Sequence, residues 1–370
     1  MSRPGPQEPA TGADLPREVA LRAGYHSPQV EVDVRLNTNE SPEAPPAAFV
    51  EALIVELRSM ALNRYPDREA TALRAALAHH HGVSPEQVFC ANGSNEVIQC
   101  ILLAYGGPGR PATMFEPTYA LHSHISLLTG TPLITGQRDD SFLVDPTEVE
   151  RTVAAATRMY GPASPAVTFL CSPNNPTGGL ETSDSVRAVL ALVPGILVVD
   201  EAYAQFAPWS ALDLLDSEPR LVVVRTFSKT WAMAGLRLGY AIADPLVVAS
   251  LSNVALPYHL DTLKQVAGRL ALGFGQQMQE RVAATVQERE RVARALHELA
   301  VTQWPSSANF ILFRVSPRAG SEVWEGLLDH SVLVRDVSDW PRLEGCLRVT
   351  IGTRPENDRF LSALGEVLSA

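Results

Sequence analysis

Lysine occurs only twice in this 370-residue chain, at Lys229 and Lys264, against twenty-eight arginines. A surface in need of positive charge has been given arginine almost throughout. A lysine retained in the run Thr226-Phe-Ser-Lys-Thr-Trp, directly after the apolar stretch Leu221-Val-Val-Val, therefore invites a chemical reading. Lysine can shed its proton near neutral pH when its surroundings demand it, and arginine cannot. Read by itself, Lys229 is an ordinary long cation with its stem laid along apolar surface; its company elsewhere in the chain changes that reading. The run Val198-Val-Asp-Glu-Ala-Tyr ends a second apolar stretch with Asp200. A carboxylate there must be hydrated, paired or used as a helix cap, and ligands of open parallel sheets bind at that end of the strands. Cys171-Ser-Pro-Asn-Asn-Pro-Thr-Gly is too polar and turn-rich for a core, and Pro173 and Pro176 shape a loop that presents Asn175. Ala91-Asn-Gly-Ser-Asn-Glu leads from strand to helix, with Gly93 permitting close approach and helix-start N–H groups suited to phosphate.

The elements that must position these residues follow from periodicity. Short apolar runs at 87–91, 113–115, 132–135, 166–171, 196–200, 221–226 and 239–243 read as strands, and helical patterns cover 47–60, 69–80, 96–105, 146–156 and 183–192. That alternation predicts an α/β fold with a largely parallel sheet. Near Pro257 the rhythm changes to one long helical region reaching about 300, with Glu288, Arg289, Glu290 and Arg291 on a solvated face. A smaller mixed unit follows Pro305, with strands at 310–315, 332–335 and 347–351. The expected organisation is an arm over 1–40, a large domain over 41–255 and a small domain over 256–370.

Composition narrows the function. With 46% hydrophobic and 19% charged residues the chain falls among globular enzymes rather than disordered proteins. A net charge of -11 without a basic stripe argues against nucleic acid. No apolar run approaches the ~18 residues of a membrane span, and the amino terminus lacks the apolar core of a signal peptide, so a cytoplasmic location is expected. Cys90, Cys100, Cys171 and Cys346 are scattered, without zinc-site pairing, and read as small buried residues. His79, His80 and His81 would point in different directions from a helix and suit a helix carboxyl end; no metal is expected. Trp231, Trp324 and Trp340 read as packing residues.

The strand-end aspartate, strand-end lysine, Asn-Pro loop and Gly-Ser helix start, in this order, resemble the class I/II aminotransferase family of fold-type I pyridoxal-phosphate enzymes. The resemblance runs from about Tyr25 to the carboxyl terminus. Arg35-Leu-Asn-Thr-Asn-Glu, Asn63-Arg-Tyr-Pro-Asp, Leu256-Pro-Tyr-His-Leu, Leu333-Val-Arg-Asp and Gly345-Cys-Leu-Arg-Val-Thr-Ile-Gly-Thr are similar to its histidinol-phosphate branch. The resemblance implies a large domain with a mostly parallel sheet flanked by helices and a smaller α/β carboxyl-terminal domain. It also implies pyridoxal 5'-phosphate as cofactor, and amino transfer between L-histidinol phosphate and 2-oxoglutarate in histidine biosynthesis.

The family's site residues carry over one by one. Lys229 would attach the coenzyme and carry the proton, Asp200 would pair with its ring nitrogen, Asn175 and Tyr203 would bind its ring oxygen, and Tyr119 would stack on its face. Gly93, Ser94, Asn95, Thr226, Ser228 and Arg237 would hold the coenzyme phosphate. Tyr65 would reach it from a neighbouring subunit, which implies a homodimer with shared sites. Many relatives have aspartate where Asn95 stands. Arg348 would bind the donor carboxylate and Arg335 the substrate phosphate, with Tyr25 and Asn39 nearby. Rival substrates within the family are aromatic amino acids and threonine phosphate, the latter for a decarboxylase, and the Glu40-Ser-Pro-Glu segment departs from the usual pattern. A non-catalytic coenzyme-binding protein would be expected to have lost Lys229, Asp200 or Arg348, and all three are present.

Overall fold

Two sheets organise the chain, whose computed structural model describes residues 30–299, 301–316 and 318–369. The larger is built from strands too apolar to face water on either side: β5 (Val167–Cys171), β6 (Ile196–Asp200) and β7 (Leu221–Thr226) are buried along their whole length. With β2 (Val88–Ala91), β3 (Ala112–Glu116), β4 (Leu133–Gln137) and β8 (Gly239–Ala243) they form a seven-stranded sheet in the order β2-β8-β7-β6-β5-β3-β4. Only β8 runs against its neighbours. One face packs through Leu170, Leu197, Val199 and Val223 against α1 (Ala47–Ser59), α2 (Thr71–His81), α5 (Pro146–Tyr160), α6 (Ser183–Leu192) and α8 (Thr262–Leu272). The other packs through Phe169, Val198, Val222 and Val224 against α3 (Ser94–Tyr105), α4 (Ala120–Thr129) and α7 (Pro245–Val254).

Helix starts are written locally. The Asp145, Asp244 and Asp261 carboxylates accept from the first-turn N–H groups of α5, α7 and α8, each cap contributing about 1 kcal/mol. The expected single long helical region is instead two helices, α8 and α9 (Gly275–Glu298). The break falls at Gly273-Phe274-Gly275, where two glycines close together remove the side-chain and entropic support a continuous helix needs.

The smaller sheet has the order β1-β11-β12-β10-β9, comprising β1 (Val34–Leu36), β9 (Thr302–Gln303), β10 (Phe310–Arg314), β11 (Val332–Asp336) and β12 (Cys346–Thr350). It is covered by α9, α10 (Gly320–Asp329) and α11 (Arg354–Ser369) through Val292, Leu296, Leu327, Phe360 and Leu364. Strand β1 joins it parallel to β11, whereas Ala267 and Ala271 of α8 belong to the core under the larger sheet. By these contacts residues 34–36 work with the small sheet and α8 with the large one.

Candidate active site

The carboxyl ends of β5, β6 and β7 face β11 and β12 across a cleft of about 370 Å³. Asp200, the last residue of β6, is 1% exposed on the cleft floor. Its Oδ2 accepts from His122 Nε2 (3.1 Å) and its Oδ1 from the Ala202 N–H (3.1 Å). His122 is buried on α4, stacked on Phe169 at 4.7 Å, so the ring that meets the carboxylate is held flat. Lys229 follows β7 by three residues and donates from Nζ to the Thr38 carbonyl (3.1 Å). Burial, reinforced by Arg348 and Arg237 and opposed by Glu40 and Asp200, lowers its pKa from 10.5 to about 7. A large fraction of this amine is therefore uncharged and nucleophilic near neutral pH.

Beside Lys229 lies a cradle of donors. Gly93 has φ +82° at the amino-terminal cap of α3, and no side chain caps that helix. A Cβ on Gly93 would stand 2.7 Å from Arg237 Nη2, and one on Gly239 2.3 Å from the Ser94 nitrogen, so only glycine lets these segments close together. Arg237 itself has φ +51° and donates to Ser228 Oγ (3.2 Å), while Thr226 Oγ1 donates to Ser228 Oγ (3.0 Å). Helix N–H groups, two hydroxyls and a guanidinium converge here with the chemistry of a phosphate site.

The loop after β5 divides its two asparagines between scaffold and site. Asn174 is fully buried, donating to the Pro117 carbonyl (3.0 Å) and Thr177 Oγ1 (2.8 Å) and accepting from Thr118 Oγ1 (3.0 Å). Asn175 faces the cleft, where its Oδ1 accepts from Arg348 Nη1 (2.5 Å). The Tyr203 hydroxyl accepts from Asn39 Nδ2 (2.9 Å) and, at 3.5 Å, from Asn175 Nδ2, leaving its own proton for a ligand oxygen. Burial raises the Tyr203 pKa, so that proton is present. Tyr119, at the start of α4, donates to Asn95 Oδ1 (3.2 Å).

The opposite wall is cationic. Arg335 and Arg348 are direct partners across β11 and β12, so both side chains leave the same face of the small sheet. Arg348 also donates from Nη2 to the Asn37 carbonyl (2.7 Å) and lies over the Phe310 ring. Among the described residues, three arginines and a lysine meet two carboxylates, Asp200 and Glu40, in this cleft; this charge balance suits an anionic ligand.

Of the residues singled out in the sequence, Tyr25 lies outside the described residues. Tyr65 is 81% exposed, stacked on Tyr258, and does not line the cleft. All the others line it or, like Gly93, contact a residue that does. Sequence reasoning missed His122, whose signal was its position one helical turn after Tyr119, and the Thr38 carbonyl, which had none. It also took Trp340 for a packing residue. Trp340 packs with Phe142, Leu312 and Leu343, but it lines the cleft as well. The four cysteines are buried and unpaired. His81 binds the Tyr240 hydroxyl (2.8 Å), and among the described residues no group of three or more His, Cys, Asp or Glu could hold a metal. No helix among them is long and apolar enough to cross a membrane.

Fold and cleft together define a two-sheet α/β protein with a reactive lysine facing a buried aspartate and a phosphate cradle. The family model described as aminotransferase class I and II matches residues 31–364, and the chain belongs to that family. It is 45% identical to a histidinol-phosphate aminotransferase of Frankia casuarinae, covering 98% of this chain and 93% of that protein. It is 42% identical to one of Corynebacterium diphtheriae, covering 96% and 97%. The crystal structure of histidinol-phosphate aminotransferase from Sinorhizobium meliloti in complex with pyridoxal-5'-phosphate shares the fold with a TM-score of 0.84 at 23% identity, over 97% of this chain and 99% of that one.

Proposed function

We propose that this protein is a pyridoxal-phosphate-dependent aminotransferase that moves an amino group between L-histidinol phosphate and 2-oxoglutarate, in histidine biosynthesis. The observation that carries the reading is the cross-strand pair Arg335 and Arg348, set in one cleft with Lys229 and Asp200. When bound, the coenzyme supplies an electron sink for negative charge on the substrate carbon. The cradle fits its phosphate: Ser94 and Asn95 through the start of α3, Thr226 and Ser228 through hydroxyls, and Arg237 through its fork, with Gly93 admitting them all. Lys229 would hold the coenzyme through Nζ, and the same amine is placed to move a proton from the substrate carbon and back. Asp200 would pair with the ring nitrogen, Tyr203 and Asn175 would donate to the ring oxygen, and Tyr119 would cover the ring. Asn39 orients Tyr203, and the resemblance assigns Tyr25 to substrate binding. Arg348 receives the glutamate carboxylate and Arg335 the phosphate of histidinol phosphate, because a guanidinium fork matches either anion with two parallel N–H bonds.

The active form in this reading is a cytoplasmic homodimer in which Tyr65 reaches the partner's coenzyme phosphate. Support for the dimer comes from exposed apolar side chains, the stacked Tyr65 and Tyr258 and, close to them in sequence, Leu62 and Leu256 at 78% and 76% exposure, of the kind that marks interaction surfaces when grouped. Purified protein with coenzyme, offered histidinol phosphate, phenylalanine and threonine phosphate in turn, tests the assignment. Imidazole acetol phosphate and glutamate are the expected products with 2-oxoglutarate. Preferred turnover of phenylalanine, or carbon dioxide released from threonine phosphate, would replace it with one of the family's other activities.

A further inference from the structure

Side chains alternate across a strand, so the residues next to Asp200 and Thr226 point away from the cleft. Asp200 and Thr226 share a face with Val198, Val222 and Val224. Glu201 and Arg225 share the opposite one with Val199, Val223 and Tyr240. Behind the cleft floor these two meet as an ion pair, 3% and 8% exposed. Arg225 donates from Nε (3.1 Å) and Nη2 (2.8 Å) to Glu201 Oε2, and from Nη2 to Ser210 Oγ (2.7 Å). Glu201 Oε1 accepts the Ala211 N–H (2.6 Å), and the Glu201 N–H continues the ladder onto the Val224 carbonyl (2.9 Å).

The pair does not end there. Arg225 and Tyr240 are direct partners across β7 and β8, with their side chains on the same face of the sheet. The Tyr240 hydroxyl lies 2.8 Å from His81 Nε2. Burial, then Arg225 and His80, lower the His81 pKa to about 3, and burial raises that of Tyr240 to about 12. Both rings are thus uncharged, and the contacts run from Arg225 to Tyr240 across the strands and from Tyr240 to His81 through a neutral hydrogen bond. The end of the histidine run on α2 is in this way connected to the ends of β6 and β7.

We propose that Glu201, Arg225, Tyr240 and His81 form a positioning relay that fixes, from the far side of the sheet, the strand ends presenting Asp200 and Thr226 to the coenzyme. The proposal rests on the coenzyme assignment made above. Glu201 is covalently adjacent to Asp200, and Arg225 to Thr226, so the ion pair locks the spacing between the carboxylate that meets the coenzyme ring and the hydroxyl that meets its phosphate. None of the four lines the cleft.

A structural role alone would also stabilise the fold, and the two are separable because replacing a buried ion pair by neutral groups together often leaves stability intact, while removing one partner does not. The double variant Glu201→Gln/Arg225→Met, the single Arg225→Met and the mild Tyr240→Phe would be purified, with thermal midpoint, coenzyme dissociation constant, coenzyme absorbance and steady-state kinetics measured on each. The relay predicts that the double variant recovers the midpoint lost in Arg225→Met yet binds coenzyme about tenfold more weakly, a modest part of the about hundredfold a 1 Å misplacement can produce. It further predicts a lower kcat with both substrate KM values unchanged, since Arg335 and Arg348 stand on the other wall, and the same pattern on a smaller scale in Tyr240→Phe. Coenzyme affinity and kcat of wild-type value in both the double variant and Tyr240→Phe would overturn the relay. Failure of the unaltered protein to bind coenzyme would instead overturn the assignment on which it rests.

Discussion

The two walls of the cleft are built in opposite ways. On the coenzyme side, the working residues of the cleft sit in short contiguous segments at strand ends, at 91–96, 116–119, 171–176, 200–203 and 226–237, and the strands that carry them are buried almost throughout. On the substrate side the contacts join distant parts of the chain. Asn39 and Thr350, bonded twice at 3.0 and 3.1 Å, are 311 positions apart, and Arg335 meets Arg348 only through strand register. Coenzyme chemistry is thus anchored in a sheet that cannot shift without opening its core. In the proposed reading, recognition is placed on a separate sheet, joined to the first through the Arg348–Asn175 and Asn39–Tyr203 hydrogen bonds. Substitutions on the two walls should therefore fail differently, and the following sharpen or break that contrast.

The largest effect belongs to Lys229→Ala, which removes the acid–base group and should lower turnover by on the order of a thousandfold or more while coenzyme still binds without a covalent link; equilibrium dialysis and turnover assays check both. Next is Asp200→Asn, which keeps shape and the Ala202 contact but loses the charge facing the ring nitrogen. It should weaken coenzyme binding and cut kcat by on the order of a hundredfold, with KM for both substrates little changed. Near-normal transamination would remove Asp200 from the mechanism.

On the other wall the losses are smaller and selective. Loss of one charge-assisted contact is worth ~1.5 to 3 kcal/mol, or roughly ten- to a hundredfold in specificity constant. Arg348→Ala should lose this in both half-reactions, and Arg335→Ala mainly with histidinol phosphate. Single-turnover measurements on each half separate them, and equal losses in both halves for Arg335→Ala would break the contrast. A separate effect, on stability rather than turnover, is a pH dependence. In coenzyme-free protein the Lys229 pKa is about 7, against 10.5 ordinarily. Between these values the unfolded chain binds a proton that the folded chain does not, so this group makes stability rise with pH across that window. Urea midpoints should show that slope in the wild type and lose it in Lys229→Met.

The same contrast decides what could be read from sequence. β6, β7 and β8 are legible to the residue because a buried apolar run has sharp polar ends, and Asp200 and Lys229 are legible because they interrupt such runs. The break between α8 and α9 was not, since their charged faces continue across Gly273 and Gly275 and only packing beneath the large sheet distinguishes them. His122 escaped because its one local signal, a place one helical turn after Tyr119, marks only a helix face; the stacking on Phe169 and the bond to Asp200 that give it a role join that helix to two strands. Trp340 was half legible: its bulk marks it for packing, but nothing in the sequence says that it also borders a cleft. The arginine pair was recognisable through resemblance, while its physical basis, two residues thirteen apart brought opposite each other, appears only once register is known.

The most direct test of the central claim, that Lys229 is the chemical centre of the coenzyme wall, is borohydride trapping of pyridoxal phosphate on the protein followed by peptide mapping. The account predicts a single labelled peptide containing Lys229, absent from Lys229→Ala; label on Lys264, or none at all with active protein, would contradict it.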